Sequence, residues 1–242
     1  MKQFNPEGHT NHQFDVELND VKHKVMMMGG LVESMVDDGL EALLSIDSDL
    51  GHKVCEADKT VNKLELEIDE ECTRILARRQ PAASDLRMVL AIIKTISDLE
   101  RIGDEAEKLG RISLQLANEK DTPHYYKNLR HLGDHVKTML REALDAFTRM
   151  DVEAAFSTAA KDEAIDTEYA NFSRLLISHM MEHPALISHA LNMSWCARSL
   201  ERIADHACNI CEYVIYLVEG RDIRHADLDE MRKQILPSTP RT

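Results

Sequence analysis

The chain has 242 residues, 43% hydrophobic and 5% aromatic, with 9 Gly and 6 Pro; so few turn-formers and strand-favouring aromatics argue against a sandwich, barrel or propeller, while the hydrophobic share argues against disorder. A formal charge of −14 disfavours a nucleic-acid groove, which needs Lys and Arg to displace counterions, and suits solubility, basic partners or metal cations. Five cysteines do not look like a disulfide scaffold in a chain this long, no apolar run approaches the ~18 residues that span a bilayer, and Met1 to Pro6 carry no apolar signal-peptide core, so the expectation is an all-α, cytoplasmic protein with no nucleic-acid partner and no direct membrane insertion.

Apolar positions run from Phe14 through Leu18, Val21, Val25, Met28, Val32 and Met35 to Ile46 in alternating steps of four and three. That is the seam of a long bundle helix. Thr10 and Asn11 precede it as caps, and Asp47-Ser48-Asp49 closes it and caps the next. A second pattern from Val54 to Ile75 ends near Gln80, and Pro81 is expected in the first turn of helix three. That helix carries Leu86, Val89, Ile93, Ile96, Leu99, Ile102, Ala106 and Leu116. Asp121-Thr122-Pro123 repeats the cap-then-proline signal, placing a unit boundary between residues 1–122 and 123–242. The spacing then predicts helix four from about Tyr125 to Arg149, helix five from Val152 to Met181, and a sixth from Pro184 to about Glu219. Pro237-Ser238-Thr239-Pro240 reads as a frayed tail.

Sliding the chain by 104 residues pairs Met35 with Met139, Leu40 with Leu144, Asp47 with Asp151 and Asp58 with Asp162. The offset then shortens to 103 at Pro81 and Pro184, and to 101 where Leu99-Glu100-Arg101-Ile102-Gly103-Asp104 faces Leu200-Glu201-Arg202-Ile203-Ala204-Asp205. Scattered apolar matches arise between any two helices; a shared LERI-x-D does not. The chain therefore reads as two copies of a three-helix unit, six long antiparallel helices in two tandem bundles.

Glu100 and Asp104 lie four apart, about 40° around a helix, so they share a face, as do Glu201 and Asp205. Counting back from Glu100 by threes and fours gives Ile96, Ile93 and Val89, the apolar seam itself. Acids thus stand on stripes that face or border the core, where unpaired desolvation costs several kcal/mol each. Asp58 with Asn62, and Asp162 with Asp166, offer further polar pairs on the second helices. Such oxygen-rich sets suit Mg, Mn, Ca or iron. The same acids also fit a solvated face, or an ion-pair network with Arg101 and Arg202.

Other signals are weaker. Cys208-x-x-Cys211 has no second CxxC and fits reduced core or edge thiols. Met26-Met27-Met28 fits core and flank packing, and His131, His135, His179, His183, His189 and His206 fit surface or interface positions. Neither HExxH nor Glu-x-x-His occurs, and no P-loop, GxSxG or dinucleotide glycine signature is present.

The run Ala77-Arg78-Arg79-Gln80-Pro81-Ala82-Ala83-Ser84-Asp85-Leu86-Arg87, continued through Ile92 to Thr95 and the LERI-G-D segment, resembles the PhoU family. The second copy, Cys196 to Asp205, and Met26 to Gly30 of helix one resemble it too, so the likeness spans about residues 10–225. The resemblance implies a pseudo-symmetric pair of three-helix bundles, dimeric and cytoplasmic. It implies a negative regulator of phosphate-starvation signalling and phosphate uptake. In that role the protein links the ATPase subunit of the phosphate-specific ABC transporter to a sensor histidine kinase. It also implies bound divalent or ferric metal (Mg, Mn, Fe or Zn) on Glu100, Asp104, Glu201 and Asp205, with Asp58, Asp162 and Asp166 on the facing helices. Asn62 departs from a carboxylate pattern, and Glu107 stands where the second copy has Cys208. The alternative from another class is a metal-dependent hydrolase or oxidase using the same carboxylates.

Overall fold

The seams read from the sequence are buried faces. A computed structural model describes residues 12–117, 126–224 and 226–236, with no strand among them. The helices are α1 (His12–Ser45), α2 (Ser48–Arg79), α3 (Ser84–Leu116), α4 (Tyr126–Arg149), α5 (Val152–Ala159), α6 (Asp162–Glu182), α7 (Ile187–Glu219) and α8 (Leu228–Ile235). Phe14, Leu18, Val21, Val25, Met28, Val32 and Met35 all point inward, and one apolar cluster continues through both halves of the chain. None of the described helices is long and apolar enough to cross a membrane.

The turns that end the first helix of each copy are built alike. Ile46 and Met150 adopt left-handed φ values of 55° and 52°. The next N–H, Asp47 or Asp151, reaches back five residues to Ala42 O or Ala146 O, which satisfies a terminal carbonyl. Asp47 and Asp151 then cap α2 and α5 by accepting from Leu50 N at 3.0 Å and Ala154 N at 2.9 Å.

Three expectations need correction. Pro81 is not in the first turn of the third helix: Gln80 and Ala83 have φ of 47° and 50°, which a right-handed helix excludes, so α3 starts at Ser84. The fifth helix is not continuous. Lys161 N bonds Thr158 O at 3.0 Å and Ala164 N bonds Lys161 O at 3.1 Å, the i to i−3 pattern of a tightened turn. Thr158 Oγ1 and Lys161 Nζ both bond the Glu142 carboxylate of α4, which anchors this break. Asp162 consequently starts a helix, whereas its counterpart Asp58 sits inside one. Finally, Pro184 to Leu186 form a 3₁₀ turn ahead of α7, and the short α8 was not anticipated. Thr10, Asn11, Asp121 to Pro123 and Pro237 to Pro240 lie outside the described residues.

The halves meet through reciprocal contacts. Leu144 of α4 packs on Gly29 of α1, and Leu40 of α1 packs on Gly133 of α4; each contact is the other with the two copies exchanged. Glu33 pairs with Arg141 at 2.6 Å and Asp37 with Lys137 at 2.8 Å in the same reciprocal way. Between α3 and α7, Asp98 meets His206 at 2.7 Å, and Glu105 meets Ser199 at 2.8 Å. Moving seven residues forward on one helix matches seven backward on the other, so α3 and α7 run antiparallel. They form the centre of the molecule.

Within the first half, α2 and α3 approach at Gly51 and Gly110. A Cβ on Gly110 would lie 3.0 Å from the Gly51 carbonyl oxygen and 3.2 Å from Val54 Cβ. Gly110→Ala must push backbone from backbone, at a cost of about 1–3 kcal/mol, against about 1 kcal/mol gained in helix propensity. A net loss of about 1 kcal/mol is expected, read as a lower urea midpoint at unchanged m-value. A midpoint that rises would show that the crossing relaxes freely.

Candidate metal centre

Helices packed side by side place the acids. Asp58 on α2 faces Glu100 and Asp104 on α3, and Asp162 and Asp166 on α6 face Glu201 and Asp205 on α7. In the first copy, burial followed by the charge of Asp104 holds both Asp58 and Glu100 above the ordinary carboxyl range. Glu65 is raised as well, by burial and then by Asp69 and Asp104. The sequence reading missed Glu65. It stands two turns beyond Asp58 on α2, and that spacing was the available signal. Asn62 fills the departure from the carboxylate pattern by donating to Asp58 at 3.0 Å.

In the second copy, Glu201 is 8% exposed, Asp162 is half-buried, and Asp166 and Asp205 stand at the rim. Asp162 is pushed up to about 6 by burial and by Asp166 and Asp205. Burial raises Glu201 and Asp205 too, with their acidic neighbours adding to it and Arg198 opposing it. Arg198 lies 2.5 Å from Glu201, but Arg202 turns away to Glu105 at 2.6 Å. Arginines therefore do not settle these stripes: Asp58 Oδ1, Asn62 Oδ1, Asp162 Oδ1 and Glu201 Oε2 are buried with no hydrogen-bond partner. Buried oxygens without donors, on acids whose charge repels one another, are the chemistry a hard cation relieves.

The copies differ in detail. Asp58 packs beside Gly103, where a Cβ would come within 3.7 Å of its Oδ1, and the second copy has Ala204 at that position. Cys208 stands beside Asp162 and Asp205, and burial pushes its thiol up to about 12. Cys211 is buried and raised also, so neither thiol is poised as a thiolate. No three of the stripe acids bring ligand atoms within 4.8 Å of one another; among the described residues the group that does is His131, His135 and Glu168. The stripe acids are spread more widely than a single-ion cage.

A family model described as the PhoU domain matches the chain twice, over residues 25–113 and 129–214. The chain is similar to the phosphate-specific transport system accessory protein PhoU homolog of Pseudomonas aeruginosa, 51% identical over 227 residues, 94% of each chain. It is also similar to the phosphate-specific transport system accessory protein PhoU of Escherichia coli (strain K12), 45% identical over 233 residues, 96% of each chain. The crystal structure of PhoU from Pseudomonas aeruginosa aligns with a TM-score of 0.85 at 53% identity, over 86% of this chain and 100% of that one. That of the phosphate transport system regulatory protein PhoU from Streptococcus pneumoniae aligns at 0.80 with 33% identity, over 87% of this chain and 99% of that one.

Proposed function

The chain belongs to the PhoU family, and from that premise we propose that it is an accessory protein of phosphate-specific transport which restrains phosphate uptake and phosphate-starvation signalling. It acts in the cytoplasm as a homodimer. It docks on the transporter ATPase subunit and on a sensor histidine kinase, and keeps the kinase from promoting phosphorylation of its regulator. The relatives bear the names of accessory and regulatory proteins, so the hydrolase or oxidase alternative gains nothing.

The observation that carries the metal-dependent part is the pair of acidic stripes at matching positions of the two copies, with orphaned buried atoms at Asp58, Asp162 and Glu201. Glu100, Asp104 and Asp58 would hold cation in the first copy, with Glu65 at its edge; Glu201, Asp205, Asp162 and Asp166 would hold it in the second. Ligand atoms too far apart for one ion suit two or more ions sharing bridging carboxylates, since paired sites hold their metals about 3.5–4 Å apart. Bound cation, Mg, Mn, Fe or Zn, neutralises a surface that otherwise repels acidic partners and fixes α2 to α3 and α6 to α7.

One experiment addresses the reading. Tagged full-length protein and a variant with Glu100, Asp104, Glu201 and Asp205 all changed to Ala are purified, assayed for metal, and used to capture the ATPase subunit and the kinase. The wild type is expected to carry metal and retain both partners; the variant is expected to lose metal and bind them less. Unchanged stoichiometry in the variant would remove the site assignment, and failure of wild type to capture either partner would remove the adaptor role.

A further inference from the structure

We propose that His131, His135 and Glu168 form a separate transition-metal site, of a chemical class different from the carboxylate stripes, which takes zinc or a similar borderline cation. His131 and His135 are four apart on α4, so both imidazoles leave the same face. Their ring centroids are 4.4 Å apart. Glu168 of α6 reaches between them: Oε2 is 3.3 Å from His131 Nδ1, and Oε1 is 2.8 Å from His135 Nδ1. One ligand atom from each lies within 4.8 Å of the others.

The donor set and the spacing agree with a particular ion. Two imidazoles and one carboxylate are a zinc ligand set, with bonds of about 2.0–2.2 Å. Ligand atoms on a tetrahedron of that size are about 3.4 Å apart. Glu168 Oε2 already stands at that distance from His131 Nδ1; His135, within 4.8 Å of both ligand atoms, is a half-exposed ring on a helix surface and can turn to bring its nitrogen to the same ion. His131 and His135 are 67% and 47% exposed, which leaves them open to an incoming ion, while Glu168 is 28% exposed and held between the helices.

A second observation supplies the remaining coordination position. A cavity of 330 Å³ opens between α4 and α6 with His131 and Glu168 on its wall. Its floor is Leu132 and Phe172, both buried, and Lys127, Asn128 and Asn171 line its mouth. With two of the three protein ligands on the cavity wall, there is room for a water or a small exchangeable anion as the fourth, the arrangement of an open zinc site. The ion would also staple α6 to α4.

The duplicated stripes do not account for this group. At the positions that match His131, His135 and Glu168 in the first copy stand Met27, Leu31 and Leu64. A polar set found in one copy and replaced there by three apolar residues is not an inherited feature of the repeat.

Cobalt(II) distinguishes the two kinds of site, because tetrahedral nitrogen–oxygen coordination absorbs visible light far more strongly than octahedral oxygen coordination. Full-length wild type titrated with cobalt, then back-titrated with zinc, is expected to show one equivalent of the strong band, displaced by one equivalent of zinc. His131→Ala, and independently Glu168→Gln, are expected to weaken that binding at least about 100-fold, more than loss of an outer-shell partner does, with helical content unchanged and the carboxylate-bound metal retained. Absence of the strong band in wild type, or its persistence in both variants, would overturn the proposal. The result is independent of the carboxylate stripes, whose proposed ions are read by the metal content of the quadruple variant.

Discussion

Alanine at Asp98 is expected to destabilise the protein by about 3–5 kcal/mol, the cost of removing one partner from a buried charged contact. Asp98 is 5% exposed, in the middle of the α3–α7 interface. Its carboxylate accepts from His206 Nδ1 at 2.7 Å and from Asn209 Nδ2 at 3.1 Å. Tyr213 bonds it as well; burial first and this acceptor second hold the Tyr213 hydroxyl far above its ordinary range. Truncation strands these donors at the helix interface, at about 1–3 kcal/mol for each that stays unsatisfied. Chemical denaturation measures the loss. A spectrophotometric titration of tyrosine reads the contact itself, since the Tyr213 hydroxyl should ionise more readily in the variant. A loss below about 1 kcal/mol with an unmoved tyrosine would show that these helices are held together without Asp98.

Metal-free protein is expected to lose stability as pH rises from about 4 to 6 through Asp162, and Asp162→Asn is expected to remove that part of the pH dependence. The carboxyl moves from 3.8 to about 6 on folding, so over this window the folded state binds the proton that the unfolded state releases. A raised acid therefore contributes stability below its unfolded value and loses it as pH climbs through the folded one. Two units correspond to at most about 3 kcal/mol; water reaching a half-buried side chain reduces this to about 1–2 kcal/mol. At pH 7 the Asn variant should be more stable than metal-free wild type by that amount. Asp58, Glu65, Glu100, Glu201 and Asp205 are displaced in the same direction. Bound cation is expected to reverse the trend, because it favours the ionised carboxylates and is displaced by protons. Thermal unfolding of both proteins with chelator, across pH 4 to 7, checks this; parallel curves would mean that Asp162 pays no desolvation cost in the fold.

Much of the architecture was legible because helical periodicity is local. The seam from Phe14 to Met35 is buried along its whole length, and Asp47 caps α2 as its position before the apolar run indicates. The duplicated LERI-x-D was legible for the same reason, being a comparison of one stretch of chain with another. The break in the fifth helix was not legible because a neighbouring helix intervenes. Nothing near Ala160 breaks a helix in sequence; Glu142, on a different helix, bonds both sides of the turn.

By itself, then, the sequence determined most of the helices and the stripes on which Glu100, Asp104, Glu201 and Asp205 stand, since these depend on spacing within about two turns, and it determined the repeat, which compares one such stretch with another. Tertiary structure decided what faces those residues. It turned Arg202 away from the stripe to Glu105, brought Glu65 to its edge, and left Asp58, Asp162 and Glu201 with orphaned oxygens. It also carried Glu168 to a histidine pair 33 and 37 residues away. Which side chains meet across a bundle follows from how whole helices pack, and no short window of sequence contains that.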